Sequence, residues 1–149
     1  MKLTSEVFDD GDKIPKKYGY KFENINPPLK IHEVPENTKS LVLIMDDPDA
    51  LSAVGKVWTH WLMWNLPKHM KDIPEDFKSL DIINGKNDFG EFSYGGPAPP
   101  DKEHMYFFKL YALDIKLETN NSLSKFQIEK LIESHIIDSC KLKGKFSPQ

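Results

Sequence analysis

The chain has few covalent cross-linking options and no obvious pull toward a phosphate backbone or a bilayer. Its single cysteine, Cys140, cannot form an internal disulfide, which agrees with a reducing compartment and reads as a small buried apolar side chain. Twenty Lys and Arg against 23 Asp and Glu leave a net charge of -3. That balance supplies no basic surplus for nucleic acid, so no nucleic-acid partner is expected. No apolar run approaches the ~20 residues of a membrane-spanning helix. The opening MKLTSEVFDDGDKIPKKYGY lacks the apolar stretch of a secretory leader. With no basic amphipathic helix either, stable membrane association is not expected and the sequence points to the cytoplasm. Internal repeats, low-complexity tracts and a linker are also missing. Residues 1–149 therefore read as one domain, long enough to bury about two-thirds of its unfolded surface.

What is present is β-like. The chain is 39% hydrophobic and 29% charged, and its 11 prolines and 8 glycines gather in loops such as INPPL, DDPDA and YGGPAPP. Between them lie segments rich in branched and aromatic residues, the pattern of an antiparallel β protein with proline-stiffened loops. SLVLIM (40–45) is apolar on both faces and suits a strand covered on both sides, as does HWLMWNL (60–66). In HMYFFKLYALD (104–114) a period of two puts His104, Tyr106, Phe108, Leu110 and Ala112 on one face.

Only the C-terminal quarter reads as helical. Ser124 with Gln127 fits a capping box, and Leu123 with Ile128 fits the accompanying hydrophobic staple. Ile128, Leu131, Ile132, His135 and Ile136 then form one apolar stripe, so the helix is expected to pack on a sheet, with His135 a packed, hydrogen-bonded residue and Gly144 ending the helical region.

Chemistry-bearing side chains sit at strand ends. Asp46, Asp47 and Asp49 follow one strand, His60 opens the next, and His104 and Tyr106 open a third just after GGPAPP. Strand ends and the loops beyond them meet at one rim of a sheet, so these groups can converge. Two imidazoles and a phenol supply donors, and glycine backbone allows close approach, a set suited to an oxyanion such as phosphate. Each feature has a plainer explanation when taken alone. Asp-Pro-Asp is a turn signal, GGPAPP a stiff loop, and Trp58, Trp61 and Trp64 are packing residues. The alternative functional use of Asp47, His60 and His104 is a hydrolase, working as a metal site or as acid and base groups. No close His-x-x-x-His or Cys-x-x-Cys spacing and no Gly-x-Ser-x-Gly elbow supports it. The expectation is a protein that is not an enzyme and carries neither metal nor cofactor.

DPDA followed by W-x-H-W, then GGPxPP followed by H-x-Y and a long apolar strand ending in YALD, resembles the phosphatidylethanolamine-binding protein (Raf kinase inhibitor-like) family, in its short bacterial and archaeal branch. F-x-D-G-D-x-I-P-x-x-Y at the start, Pro27 to Leu29, Asn87 to Gly90 and the closing LKGKF follow in family order. The resemblance implies a mainly β, Greek-key antiparallel β-sandwich with a C-terminal helical segment packed on it. It implies a pocket at one end that takes phosphate, acetate or a phosphoethanolamine-type headgroup, with Asp47, His60, His104 and Tyr106 as ligand-binding residues. Trp58, Gly96, Pro97, Ala98 and Pro99 are expected as pocket wall, and Asp49 as a loop brace. A ligand-responsive role toward a protein partner such as a kinase or protease, and a homodimer using an aromatic such as Trp61 or Phe89, follow from the same likeness. Three positions depart from the family pattern: Leu51 replaces a proline, Lys102 a glycine and Met105 the arginine of H-R-Y. The lost arginine suggests that Asp49 pairs with Lys102 instead.

Overall fold

A computed structural model describes residues 1–149. Its centre is β3 (Ser40–Asp47), every residue of which is buried. That is the outcome expected of a strand whose two faces are both apolar. β4 (Trp58–Leu66) pairs antiparallel with one edge of β3, and β7 (His104–Leu113) with the other. Together with β6 (Ile83–Asn84) and β8 (Ile136–Phe146) they form a five-stranded sheet in the order β6-β4-β3-β7-β8. Within it β7 returns by a long connection to lie beside β3, the arrangement of a Greek key. β1 (Lys2–Thr4), β2 (Leu29–His32) and β5 (Asp72–Ile73) make a smaller antiparallel sheet.

Alternation along β3 divides the core into two layers. Leu41, Leu43 and Met45 face the small sheet and join Leu3, Leu29, Ile31, Trp61, Met63, Phe108 and Leu110. Val42 and Ile44 face the other way and pack with Leu62, Trp64, Leu113 and the helix residues Ile128 and Ile132. The large sheet is thus covered by β-structure on one face and by α2 (Lys125–Ile132) on the other. α2 starts where the capping box places it. Ser124 Oγ accepts from the Gln127 N–H, the Gln127 side chain accepts from the Ser124 N–H, and Leu123 packs against the layer containing Ile128.

The C-terminal region departs from the sequence-based expectation. The helix stops at Ile132, and Ile136–Phe146 form an edge strand antiparallel to β7. His135 lies in the connecting turn, not on a helical stripe, and its Nδ1 bonds Asp114 Oδ1 at 2.8 Å. Leu131 and Ile136 are exposed. Gly144 is a strand residue facing Ile14 and Phe8, where an added Cβ would come within 2.4 Å of Ile14 Cγ1. It admits the N-terminal segment against β8 and ends nothing. Cys140 is half-buried on this strand, and burial pushes its thiol up to about 11. Trp61 is 2% exposed and belongs to the core, so it is not an interface aromatic.

Candidate functional site

The site depends on a register defect. Met45 pairs with Trp61, but the next residue, Asp46, pairs with Thr59, leaving His60 as an extra residue on β4. In a regular strand His60 and Trp58 would share the face of Leu62 and Trp64. The β-bulge turns both side chains to the opposite face, that of Asp47, Met45 and Trp61. They meet Asp47 at the end of β3 and His104 and Tyr106 at the start of β7. The result is a cavity of about 210 Å³, also lined by Ala50, Val54, Phe89, Ala98 and Pro100.

Loops complete the walls. Ala50 and Val54 come from the short helix α1 (Ala50–Val54) that follows the Asp-Pro-Asp turn. Leu51 is 58% exposed on this helix, so the family departure there points to solvent. Phe89 is presented by a loop folded around the buried Asn87 amide, whose Oδ1 accepts from the Phe89 and Glu91 N–H groups. The Phe89 ring stacks on Tyr20 and meets Trp58 and His60 edge-on. The glycine-proline loop contributes Ala98 and Pro100 to the wall, but not Gly96, Pro97 or Pro99. The Gly96 N–H is committed to Asn24 Oδ1 at 2.7 Å, and Pro97 O accepts from the Tyr20 N–H. Pro97 and Pro99 face a separate small cleft.

His60 and His104 have opposite electrostatics. His60 is wholly enclosed, with Nδ1 2.6 Å from Gly95 O. A carbonyl only accepts, so Nδ1 carries the proton and Nε2 of the neutral ring is an acceptor. Burial pulls its pKa down to about 4 against the help of nearby carbonyls. The expectation that both imidazoles supply donors is therefore corrected for His60, whose free ring nitrogen accepts. For His104, burial opposes charging, but Asp47 and Asp101 outweigh it and raise the pKa. His104 Nδ1 lies 2.6 Å from Asp47 Oδ2 and Nε2 2.7 Å from Asp101 Oδ1. Burial raises the Asp47 pKa and the bond from His104 partly offsets it. Tyr106 is held well above the usual phenol value by burial and by the Asp47 charge.

Three buried polar atoms on lining residues have no hydrogen-bond partner: Tyr106 Oη, Trp58 Nε1 and Asp47 Oδ1. An orphan of this kind costs on the order of 1–3 kcal/mol, and a cluster of three marks a place where something else supplies the partners.

The predicted brace takes an unpredicted form. Asp49 Oδ2 accepts from the main-chain N–H of Met105 at 2.8 Å, and Lys102 forms no ion pair with it. A main-chain donor, the same whatever side chain stands at position 105, replaces the expected charge partner. Asp101 is not singled out in the sequence, Phe89 enters there only as an interface aromatic, and Pro100 only as the end of GGPAPP. Asp101 had a usable signal, an acid one strand-entry turn before a candidate histidine. As for the hydrolase alternative, no group of three or more His, Cys, Asp or Glu side chains is placed to hold a metal ion. The cavity lining contains no Ser, Thr or Cys. No helix of the protein is long and apolar enough to cross a membrane.

Comparison with known proteins matches this geometry to a family. A family model described as phosphatidylethanolamine-binding protein matches residues 4–147. A UPF0098 protein of Methanothermobacter thermautotrophicus is 42% identical over 149 residues, with 97% of each chain covered. A UPF0098 protein of Chlamydia trachomatis is 38% identical, with 98% of each covered. Among solved structures, a phosphatidylethanolamine-binding protein homologue from Chlamydia trachomatis is similar with a TM-score of 0.93 at 37% identity, covering 99% of this chain and 97% of that one. E. coli YbcL is similar with a TM-score of 0.91 at 27% identity, covering 99% and 98%.

Proposed function

The chain belongs to the phosphatidylethanolamine-binding protein family, and from that premise we propose that its cavity binds one small protonated oxyanion, such as monoanionic phosphate or the phosphate of an ethanolamine-type headgroup. The observation that carries this reading is the mixed set of unpartnered polar atoms, two donors on Tyr106 and Trp58 and an acceptor on Asp47. His60 Nε2 adds a second acceptor. Bare oxyanions offer acceptors only and would leave Asp47 Oδ1 facing like charge. A phosphate that still carries a proton offers both kinds of group, and the ammonium of an ethanolamine headgroup offers donors to the same carboxylate. His104, whose pKa its two carboxylates raise, offsets part of their negative charge beside the cavity.

The test is titration of inorganic phosphate and phosphoethanolamine into the wild type, Tyr106→Phe and Trp58→Phe, followed by histidine NMR. Binding that moves the His60 and His104 resonances, and that weakens about tenfold on loss of one donor, supports the reading. If neither ligand moves either histidine, in the wild type or with the Asp101 carboxylate removed, the reading is wrong.

A further inference from the structure

His104 lines the cavity but has no free atom with which to bind anything. Its only hydrogen-bonding atoms are the two ring nitrogens, one held by Asp47 at 2.6 Å and the other by Asp101 at 2.7 Å. Its side chain is fully buried. For this imidazolium to give a proton to a ligand, one carboxylate must leave.

The two carboxylates are not equally able to do so. The Asp47 side chain is 4% exposed and belongs to β3, whose neighbours on both sides are paired strands. Moving it would strand a carboxylate in the core, which costs several kcal/mol. The Asp101 side chain is 41% exposed and sits on a bend three residues before His104, outside any strand. It reaches water by rotating its own side chain, and the ligand's oxygen then replaces it on the buried nitrogen. The backbone around it need not move. Pro97, Pro99 and Pro100 stiffen the chain before it, and the chain after it is fastened by Asp49 to the Met105 N–H and by Glu103 to Ser147 Oγ.

We propose that Asp101 is a tethered competitor: its carboxylate occupies the place on His104 Nε2 that the ligand's anionic oxygen takes, and phosphate binds by displacing it. This inference rests on the cavity accepting a phosphate group. An internal carboxylate of this kind sets a threshold for entry. A carboxylate ligand exchanges like for like at Nε2 and gains little, whereas a phosphate brings additional oxygens for Tyr106 and Trp58 as well. The threshold is the same for both, so the ligand with contacts to spare is the one that clears it at a given concentration. A latch closed about nine-tenths of the time raises the apparent Kd about tenfold, because only the open fraction binds.

The experiment measures affinity for inorganic phosphate and for acetate in the wild type, Asp101→Asn and Asp101→Ala. Asp114→Asn is the control, since it removes a carboxylate of the same kind from the surface residue His135. Both Asp101 variants are expected to bind phosphate about tenfold more tightly and to gain a similar factor for acetate, with Asp114→Asn unchanged. Phosphate binding by the variants where the wild type shows none would support the latch in its strongest form. If the wild type binds phosphate and the Asp101 variants bind it equally or more weakly, Asp101 is a brace for His104 and the latch is overturned while the pocket stands. If no protein in the series binds phosphate, the pocket reading itself fails.

Discussion

Asp46 and Asp47 are consecutive on β3, yet their carboxylates serve opposite faces of the sheet. Asp46 Oδ2 sits 2.9 Å from both Lys109 and Lys125, while Asp47 Oδ2 holds His104 at 2.6 Å. Strand alternation makes one acidic pair into a structural clamp on α2 and a functional group at the cavity.

Replacing Asp46 with Asn removes the charge that two lysines share. Loss of one member of a buried ion group costs about 3–5 kcal/mol, and the remaining exposure of both lysines brings the expected loss to about 2–3 kcal/mol. Urea denaturation reads it directly, and an unchanged midpoint would show that the clamp contributes nothing net.

His60 makes the fold acid-sensitive. Its pKa of about 4 in the folded protein lies below the ordinary value of 6.5, so the unfolded chain takes up this proton first. Stability is therefore lost as pH falls from 6.5 toward 4, by about 3 kcal/mol from this group alone. His104 has the opposite sign: its raised pKa contributes stability below 6.5 that is lost as pH rises through its folded value. The two are separated by comparing the wild type with His60→Gln, whose acid limb is expected to be flatter. Equal slopes between pH 6.5 and 4 would contradict a neutral His60.

Removing the charge of Asp47 takes away one of the two partners that hold His104 protonated. In Asp47→Asn the His104 titration, followed by its ring proton resonances, is expected at lower pH than in the wild type. A titration that stays where it was would mean that Asp101 alone holds the proton.

Phosphate and sulfate have nearly the same size and shape, but sulfate carries no proton at neutral pH. The acceptors Asp47 Oδ1 and His60 Nε2 are expected to make the protein prefer phosphate by at least about tenfold, the consequence of facing an acceptor with an acceptor. Equal affinities would remove Asp47 Oδ1 from the contact set.

Gly96 lies where the loop crosses the main chain of Tyr18, and an added Cβ would fall 2.0 Å from Tyr18 O. Gly96→Ala is expected to cost about 2–3 kcal/mol by overpacking against backbone, which cannot yield as a side chain does. Thermal unfolding tests this, and an unchanged Tm would show that the loop has room.

Much of the fold could be read from local pattern, and most of the site from the resemblance. The period of two in His104–Leu113 placed His104 and Tyr106 on one face correctly, and the capping box located the start of α2 because both signals lie within a few residues of chain. β8 is missed because His135 and Ile136 continue the helical spacing of Ile128, Leu131 and Ile132. The strand signal was in the following residues, where Lys141, Lys143 and Lys145 alternate with Leu142, Gly144 and the buried Phe146. The turn of His60 into the cavity was not readable from β4, since the bulge is a property of its pairing with β3. The bond from His104 to Asp101 and the replacement of a charge partner by the Met105 N–H likewise arise only once loops close on strands.

The bulge at His60 also divides β4 into two independently variable parts. From Trp61 to Trp64 the strand keeps the core's alternation, before Trp61 it is reversed, and a second irregularity at Asn65 returns Leu66 to the face of Trp61 and Met63. Deleting His60 would restore regular pairing and take the imidazole out of the cavity, leaving Trp58 opposite Asp47 and Trp61, Met63 and Leu66 in place. The strand thus contains a one-residue adjustment that fills or empties part of the pocket while the core beneath it stays as it is.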